Sequence, residues 1–343
     1  MKTRDRFTNI LIIKPGAIGD LLQMTPVIRA LKEKYRSAAV SLLVGSSQTA
    51  ELFKHHADVH ETIVYDKRGK QRSFPALMNL WKQLRRNNYD LVLNFQRSTM
   101  KTWFLASAAL PCRVLVYHKA KNRSVHAVVN YLETLAPLGI HASDLHLELT
   151  PGAEDRAFAM QLLSSQKNSA GPLIALNPGA SHQVNRWSTD HFAALADMLA
   201  QRLDARVIIV GGPEDVMLAE EIAAKAGSKP LLLAGKAGLL QLGALLEHCA
   251  VLVSGDTGPL HLATAVGIPV AALFGAADPE RTGPVGDGHL VIQAEKVPCV
   301  PCRSRTCKNP RYLECMDKIS PDTVFDAVVS LIRKGKAAKK INL

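Results

Sequence analysis

Short apolar runs alternate with amphipathic stretches along nearly the whole chain. In the first half the runs fall at residues 9–14, 40–44, 62–65, 90–94 and 113–116. In the second half they fall at 173–177, 206–210, 231–233, 251–253 and 270–274. Their hydrophobicity is near-continuous rather than alternating, as in strands buried on both faces. Between them apolar residues recur at helical spacing, clearly at 74–86, 191–203 and 239–247, and from 21 to 35 after the first run. This order predicts an α/β chain with two doubly wound parallel sheets, each covered by helices on both sides. Thr150-Pro151-Gly152 opens the crossing between the halves. The expected division is residues 1–150, residues 151–320, and a terminal helix and tail over 321–343. The pattern leaves open whether the helical segment at 321–333 packs back on the first domain. In such sheets ligands bind outside the carboxyl ends of the strands. Two facing sheets would therefore bring the turns after their strands to one cleft.

Two of those turns have the composition of a binding site. Ser254-Gly255-Asp256-Thr257-Gly258-Pro259-Leu260-His261 joins the run ending at 253 to a short helical pattern over 261–267. Free backbone N–H groups and the positive end of a helix dipole converge at such a turn and favour a phosphate. Asp256 beside that phosphate can bind hydroxyls but not the anion. Diphosphate on the amides and sugar hydroxyls on the carboxylate is the chemistry of a nucleotide-sugar. The competing reading is a tight turn in which Asp256 or Thr257 only caps the helix. The other turn, Pro15-Gly16-Ala17-Ile18-Gly19-Asp20, follows the first strand. It lacks the third glycine of a dinucleotide fingerprint and the Gly-Lys-Ser/Thr of a P-loop. What remains is Lys14 at a strand end and Asp20 near a helix start, where a cap is again the competing role.

Composition narrows the class. The chain has 343 residues, 47% hydrophobic and 21% charged, which suits a globular protein of two domains. No apolar run reaches the roughly 18 residues needed to cross a bilayer. Residues 1–8 are polar and carry no secretory pattern, so a cytoplasmic protein is expected. The net charge of +12 is unevenly placed. Residues 1–150 hold 22 Lys and Arg against 11 Asp and Glu, whereas residues 151–343 hold 20 against 19. Five of those 20 lie in the tail, at Arg333, Lys334, Lys336, Lys339 and Lys340. A segregated excess suits an anionic partner. Nucleic acid is disfavoured, because aromatics are only 5% and none interleave with the basic runs.

The motifs in order make the reading specific. Lys14-Pro15-Gly16-Ala17-Ile18-Gly19-Asp20 is followed by Asn177-Pro178-Gly179-Ala180, Arg186-Trp187 with His191-Phe192, and Gly211-Gly212-Pro213-Glu214. Then come Gly255-Asp256-Thr257-Gly258-Pro259-Leu260-His261-Leu262-Ala263 and Phe274-Gly275-Ala276-Ala277-Asp278-Pro279. This set resembles the ADP-heptose:lipopolysaccharide heptosyltransferases, glycosyltransferase family 9. The resemblance implies a GT-B fold, with two Rossmann-like domains facing a central cleft. It implies an inverting transfer of heptose from ADP-heptose to the inner core of lipopolysaccharide. It makes Asp20 the base, puts Arg186 on the donor diphosphate and Glu214 on the ribose, and has the Asp-Thr-Gly turn hold diphosphate and donor sugar. It also brings the loop at 236–239 to the adenine. Lys14, Gly19, Asn177, Asp256, Thr257, Gly258 and His261 complete the expected donor set. The implied acceptor is an anionic, lipid-linked core oligosaccharide at the cytosolic face of the inner membrane, reached from a peripheral position. A nucleotide-sugar epimerase, or a transferase of another sugar, on the same fold is the alternative.

The residue chemistry agrees with that resemblance. Sugar transfer needs a base for the acceptor hydroxyl and stabilisation of the departing diphosphate. Asp20 can supply the first; helix-start amides near Thr257 and Gly258, with Arg186, can supply the second. No Asp-x-Asp occurs, so a bridging metal ion or other cofactor is not expected to be required. Arg97, Lys101 and Arg123 are the acceptor-anion candidates, against the simpler reading of a solvated basic face. Cys299, Cys302, Cys307 and Cys315 form an irregular cluster, read as free thiols with a structural zinc site or a disulfide as alternatives. His261 either supports the turn or bonds a donor hydroxyl, and Trp187 reads as a packing residue.

Overall fold

The structure, a computed structural model, describes residues 7–67, 69–96, 100–118, 124–164 and 171–341. It divides into two compact units, Met1–Thr150 and Pro151–Leu343.

The first unit is built on five parallel strands: β1 (Asn9–Ile13), β2 (Ala39–Val44), β3 (Glu61–Val64), β4 (Leu91–Asn94) and β5 (Arg113–Val116). Their order across the sheet is β3-β2-β1-β4-β5. Ile10, Leu11, Ile12 and Ile13 are all essentially fully buried, as a strand covered on both faces requires. One face packs Leu11, Ile13 and Val92 against Leu77, Leu80 and Leu84 of the Phe74–Arg86 helix and Leu105 of the Met100–Ser107 helix. The second unit has six parallel strands: β6 (Leu173–Asn177), β7 (Arg206–Ile209), β8 (Leu231–Leu232), β9 (Val251–Gly255), β10 (Val270–Phe274) and β11 (Leu290–Gln293). Their order is β11-β10-β9-β6-β7-β8. Ile174, Leu176, Val251 and Val253 meet Phe192 and Leu199 of the Thr189–Leu203 helix on one face. Val324, Val328 and Leu331 of the terminal Pro321–Ile341 helix join the same core, so this helix packs within the second unit.

Both sheets reverse direction of strand order at their middle. In the first the reversal lies between β1 and β4, where Ile13 pairs with Asn94. In the second it lies between β6 and β9, where Asn177 pairs with Ser254. A crevice opens at the carboxyl edge of such a switch point, because the two flanking connections leave in opposite directions. The two glycine turns singled out in the sequence follow β1 and β9.

Three expectations need correction. The helical pattern from 21 to 35 is two helices, Ile18–Leu22 and Thr25–Lys34. Pro26 has no N–H to give to the Leu22 carbonyl, so one helix cannot run through. The Thr25 hydroxyl donates to that carbonyl instead, at 2.8 Å, and accepts from the Glu148 amide at 2.9 Å. The helix after β9 starts at Gly258, not at 261. Pro259 fits its first turn, where the missing N–H has no intrahelical use. Strand β11 was not anticipated. It is a short edge strand with Val291 exposed, and it follows a turn in which Gly286 and Gly288 have positive φ.

Thr25 is completely buried, so Thr25→Val keeps its shape but orphans a carbonyl and an amide. We expect a loss of about 2 kcal/mol from the first unit in urea unfolding. A loss below about 0.5 kcal/mol would mean that other contacts hold the break at residues 23–24.

Candidate active site

In the first unit, Lys14 leaves the end of β1 and is buried. Its Nζ stands 3.3 Å from Asp20 Oδ2 and donates to the Tyr131 hydroxyl at 3.0 Å. The Tyr131 hydroxyl in turn donates to Asp20 Oδ1, at 3.0 Å. Each carboxylate oxygen thus has one protein partner, yet 42% of the Asp20 side chain remains exposed. Asp20 lies within the short Ile18–Leu22 helix, whose start has no side-chain cap. The capping role considered from the sequence is therefore not the one it plays. Tyr131 comes from the Ala127–Leu132 helix and packs edge-on against Phe95 and Tyr117, with centroids 5.5 and 5.2 Å away. Burial, with the Asp20 charge second, raises its hydroxyl pKa, so it stays a donor. No pattern in the sequence marked Tyr131; its link to Asp20 spans 111 residues.

In the second unit, Asn177 ends β6, fully buried. Its Nδ2 lies 3.0 Å from Ser254 Oγ, 3.1 Å from Thr257 Oγ1 and 3.2 Å from the Gly179 carbonyl. Ser254 Oγ and Thr257 Oγ1 are themselves 3.0 Å apart. This network crosses the switch point and fixes the turn after β9. Thr257 is the N-cap residue of the Gly258–Ala265 helix but makes no side-chain cap bond. The capping alternative is thereby set aside for Thr257. Asp256 Oδ2 accepts from the Thr282 hydroxyl at 3.1 Å, and Oδ1 is 4.0 Å from Nε2 of the buried His261. The segment before Arg186 lies against this turn: a Cβ on Gly255 would stand 2.6 Å from the Asn185 carbonyl oxygen. Arg186 Nε and Nη2 both donate to the Ala180 carbonyl, at 3.0 and 2.8 Å. Trp187 is buried, with Nε1 donating to the Ile319 carbonyl at 2.9 Å and its ring edge-on to Phe192.

Glu214 and Asp215 divide two roles. Glu214 is exposed on the turn after β7. Asp215 is buried and accepts from the Gly212 amide at 3.0 Å. Burial pushes its carboxyl pKa up. Gly179 stands against it: a Cβ there would come within 2.2 Å of the carboxylate, which would have to shift. Asp215 was not singled out in the sequence, although it follows the quoted Gly-Gly-Pro-Glu.

The structure thus brings Asn177, Arg186, Asp256, Thr257, Gly258 and His261 to the β6–β9 edge. Lys14 and Gly19, expected with them, belong to the first unit, and Lys14 is held on Asp20 there. Lys101 is exposed at the start of the Met100–Ser107 helix. Arg97 and Arg123 lie outside the described residues. All six cysteines are free thiols. Cys299, Cys302, Cys307 and Cys315 line one cavity of about 610 Å³. Burial, and then the other three thiols, raise the Cys315 pKa. Among the described residues no group of three or more His, Cys, Asp or Glu side chains is placed to hold a metal ion. The cysteine loop is pinned to the turn after β10: Arg303 pairs with the buried Asp278 and its amide donates to the Ala276 carbonyl at 2.7 Å.

The family model and the curated relatives agree on one class. Residues 77–313 match glycosyltransferase family 9 (heptosyltransferase). The chain is 29% identical over 317 residues to lipopolysaccharide heptosyltransferase 3 of Escherichia coli strain K12, covering 86% of this chain and 90% of that protein. Its fold matches the glycosyl transferase family 9 structure from Veillonella parvula with a TM-score of 0.85, at 22% identity over 95% of this chain and 98% of that one. It also matches an Escherichia coli heptosyltransferase with ADP-2-deoxy-2-fluoro heptose, with a TM-score of 0.68 at 20% identity over 94% and 99% of the two chains. The chain belongs to glycosyltransferase family 9 and has the GT-B type of fold.

Gly179→Ala should drive the Asp215 carboxylate off the Gly212 amide and cost about 1–3 kcal/mol in the second unit. Asp215→Ala alone should also destabilise, but the double variant should lose less than the sum, because the clash is removed with its cause. Strict additivity in thermal unfolding would show that the two positions do not meet.

Proposed function

We propose that this glycosyltransferase moves a heptose from ADP-heptose to the inner core of lipopolysaccharide, with inversion and with Asp20 as general base. The observation that carries the reading is Asp20 itself: oriented by Lys14 and Tyr131, yet still open to solvent on one side. The acceptor hydroxyl oxygen attacks the anomeric carbon while Asp20 takes its proton. The bond from that carbon to the diphosphate breaks on the opposite face, and ADP leaves with the electron pair. A single displacement of this kind inverts the anomeric centre. The Thr257 hydroxyl, the Gly258 and Leu260 amides and Arg186 stabilise the charge that grows on the leaving diphosphate. Asp256, braced by Thr282, binds hydroxyls of the donor sugar, and Glu214 binds the ribose. These donors serve the diphosphate without a metal ion or other cofactor. Arg97, Lys101 and Arg123 hold the carboxylates and phosphates of a lipid-linked acceptor at the cytosolic face of the inner membrane. The names of the relatives support the donor and acceptor.

Asp20→Asn should bind ADP normally and lose transfer by about 10²–10⁴-fold. Tyr131→Phe keeps the ring packing but removes the donor to Asp20; it should lower kcat about tenfold and leave the donor KM unchanged. Near-normal turnover in folded Asp20→Asn would remove Asp20 as the base.

Asp256→Ala and Arg186→Ala should each raise the donor KM. Transfer should survive a chelator, with metal content measured alongside because of the cysteine cluster. Activity abolished by chelation and restored by magnesium would refute the metal-free mechanism.

A further inference from the structure

The exposed large apolar side chains are unevenly distributed. Phe74, Met100, Trp103 and Leu110 are four of the eight among the described residues, and all fall in one stretch of the first unit. Met100 is 90% exposed, Phe74 66% and Trp103 47%. Single exposed apolar residues are ordinary; a group on neighbouring elements is not. Met100 and Trp103 are three residues apart on the Met100–Ser107 helix and share a face. Phe74 opens the adjacent Phe74–Arg86 helix, and its ring lies 6.4 Å from that of Phe104, next to Trp103. Beneath them Phe104 and Trp81 pack on the buried core, and Trp81 Nε1 donates to Ser107 Oγ at 3.1 Å. The apolar tips therefore stand on a fixed base.

Charge identifies what covers them. Residues 67–110 hold nine Lys and Arg and a single acid, Asp90. Asp90 is occupied by the Thr8 and Asn9 amides. Lys70, Arg72, Lys82 and Lys101 are exposed on the same stretch. A second copy of the chain, meeting this face symmetrically, would oppose one cationic rim with another. An anionic lipid surface satisfies both features: headgroup phosphates take the cations, and the boundary with the acyl chains takes the apolar tips. No helix among the described residues is long and apolar enough to cross a membrane, so contact would be from one side.

We propose that the face made by the Phe74–Arg86 and Met100–Ser107 helices docks on anionic bilayers, with Phe74, Met100 and Trp103 entering the headgroup–acyl boundary. This deepens the membrane-borne acceptor proposed above, but its test needs no sugar transfer. The full chain is mixed with vesicles of phosphatidylglycerol and phosphatidylethanolamine, and with vesicles of phosphatidylcholine alone. Tryptophan emission should shift to the blue and be quenched by brominated acyl chains on the anionic vesicles, and salt should weaken the effect. Phe74→Glu with Met100→Glu should lower partitioning at least about tenfold. Its thermal unfolding and its turnover on a soluble, delipidated acceptor should stay unchanged. Unchanged partitioning of that variant, no blue shift in the wild type, or equal salt-insensitive binding to both vesicle types would overturn the proposal. So would dissociation of an oligomer by the variant with vesicle binding intact, which would assign the face to a second copy.

Discussion

The second unit depends on one side chain reaching across a strand pair. Asn177 closes β6, and its amide holds Ser254 and Thr257 at the end of β9. Without that bridge the Thr257 hydroxyl would be available to cap its own helix, and the helix start would be satisfied internally. With it, the hydroxyl is oriented by the sheet rather than onto its own helix start. The arrangement is possible because β6 and β9 are neighbours at the switch point, where Asn177 pairs with Ser254.

The first unit uses the same opening for a different purpose. Lys14 at the end of β1 and Tyr131 from a distant helix act on one carboxylate rather than on a backbone turn. Burial of the two donors favours this: it keeps the Tyr131 proton in place and holds Lys14 against a carboxylate that itself stays 42% exposed. The two units thus differ in what their strand-end side chains hold: a carboxylate in the first, a backbone turn in the second. Both arrangements lie at strand ends fixed by fully buried residues, which limits how far these side chains can drift.

Much of this was legible from the chain because buried parallel strands write themselves as continuous apolar runs. Ten strands were read within a residue or two, and the turns after β1 and β9 stood out by their glycines and acids. What failed had local physical causes. Pro26 breaks a pattern that periodicity alone joins. Thr257 precedes a helix whose start is displaced by Pro259, so the short helix was placed too late. Tyr131 and Asp215 were missed for another reason. Their importance comes from contacts with Asp20 and Gly179, and neither contact leaves a spacing to read.

Binding of the donor diphosphate at the β6–β9 edge is what the proposed reaction needs most. A crystal structure with ADP tests it directly. Diphosphate oxygens are expected within about 3 Å of the Thr257 hydroxyl and of the Gly258 and Leu260 amides, with the ribose toward Glu214. Nucleotide bound at the turn over residues 15–20, or with its phosphates away from the start of the Gly258–Ala265 helix, would contradict it.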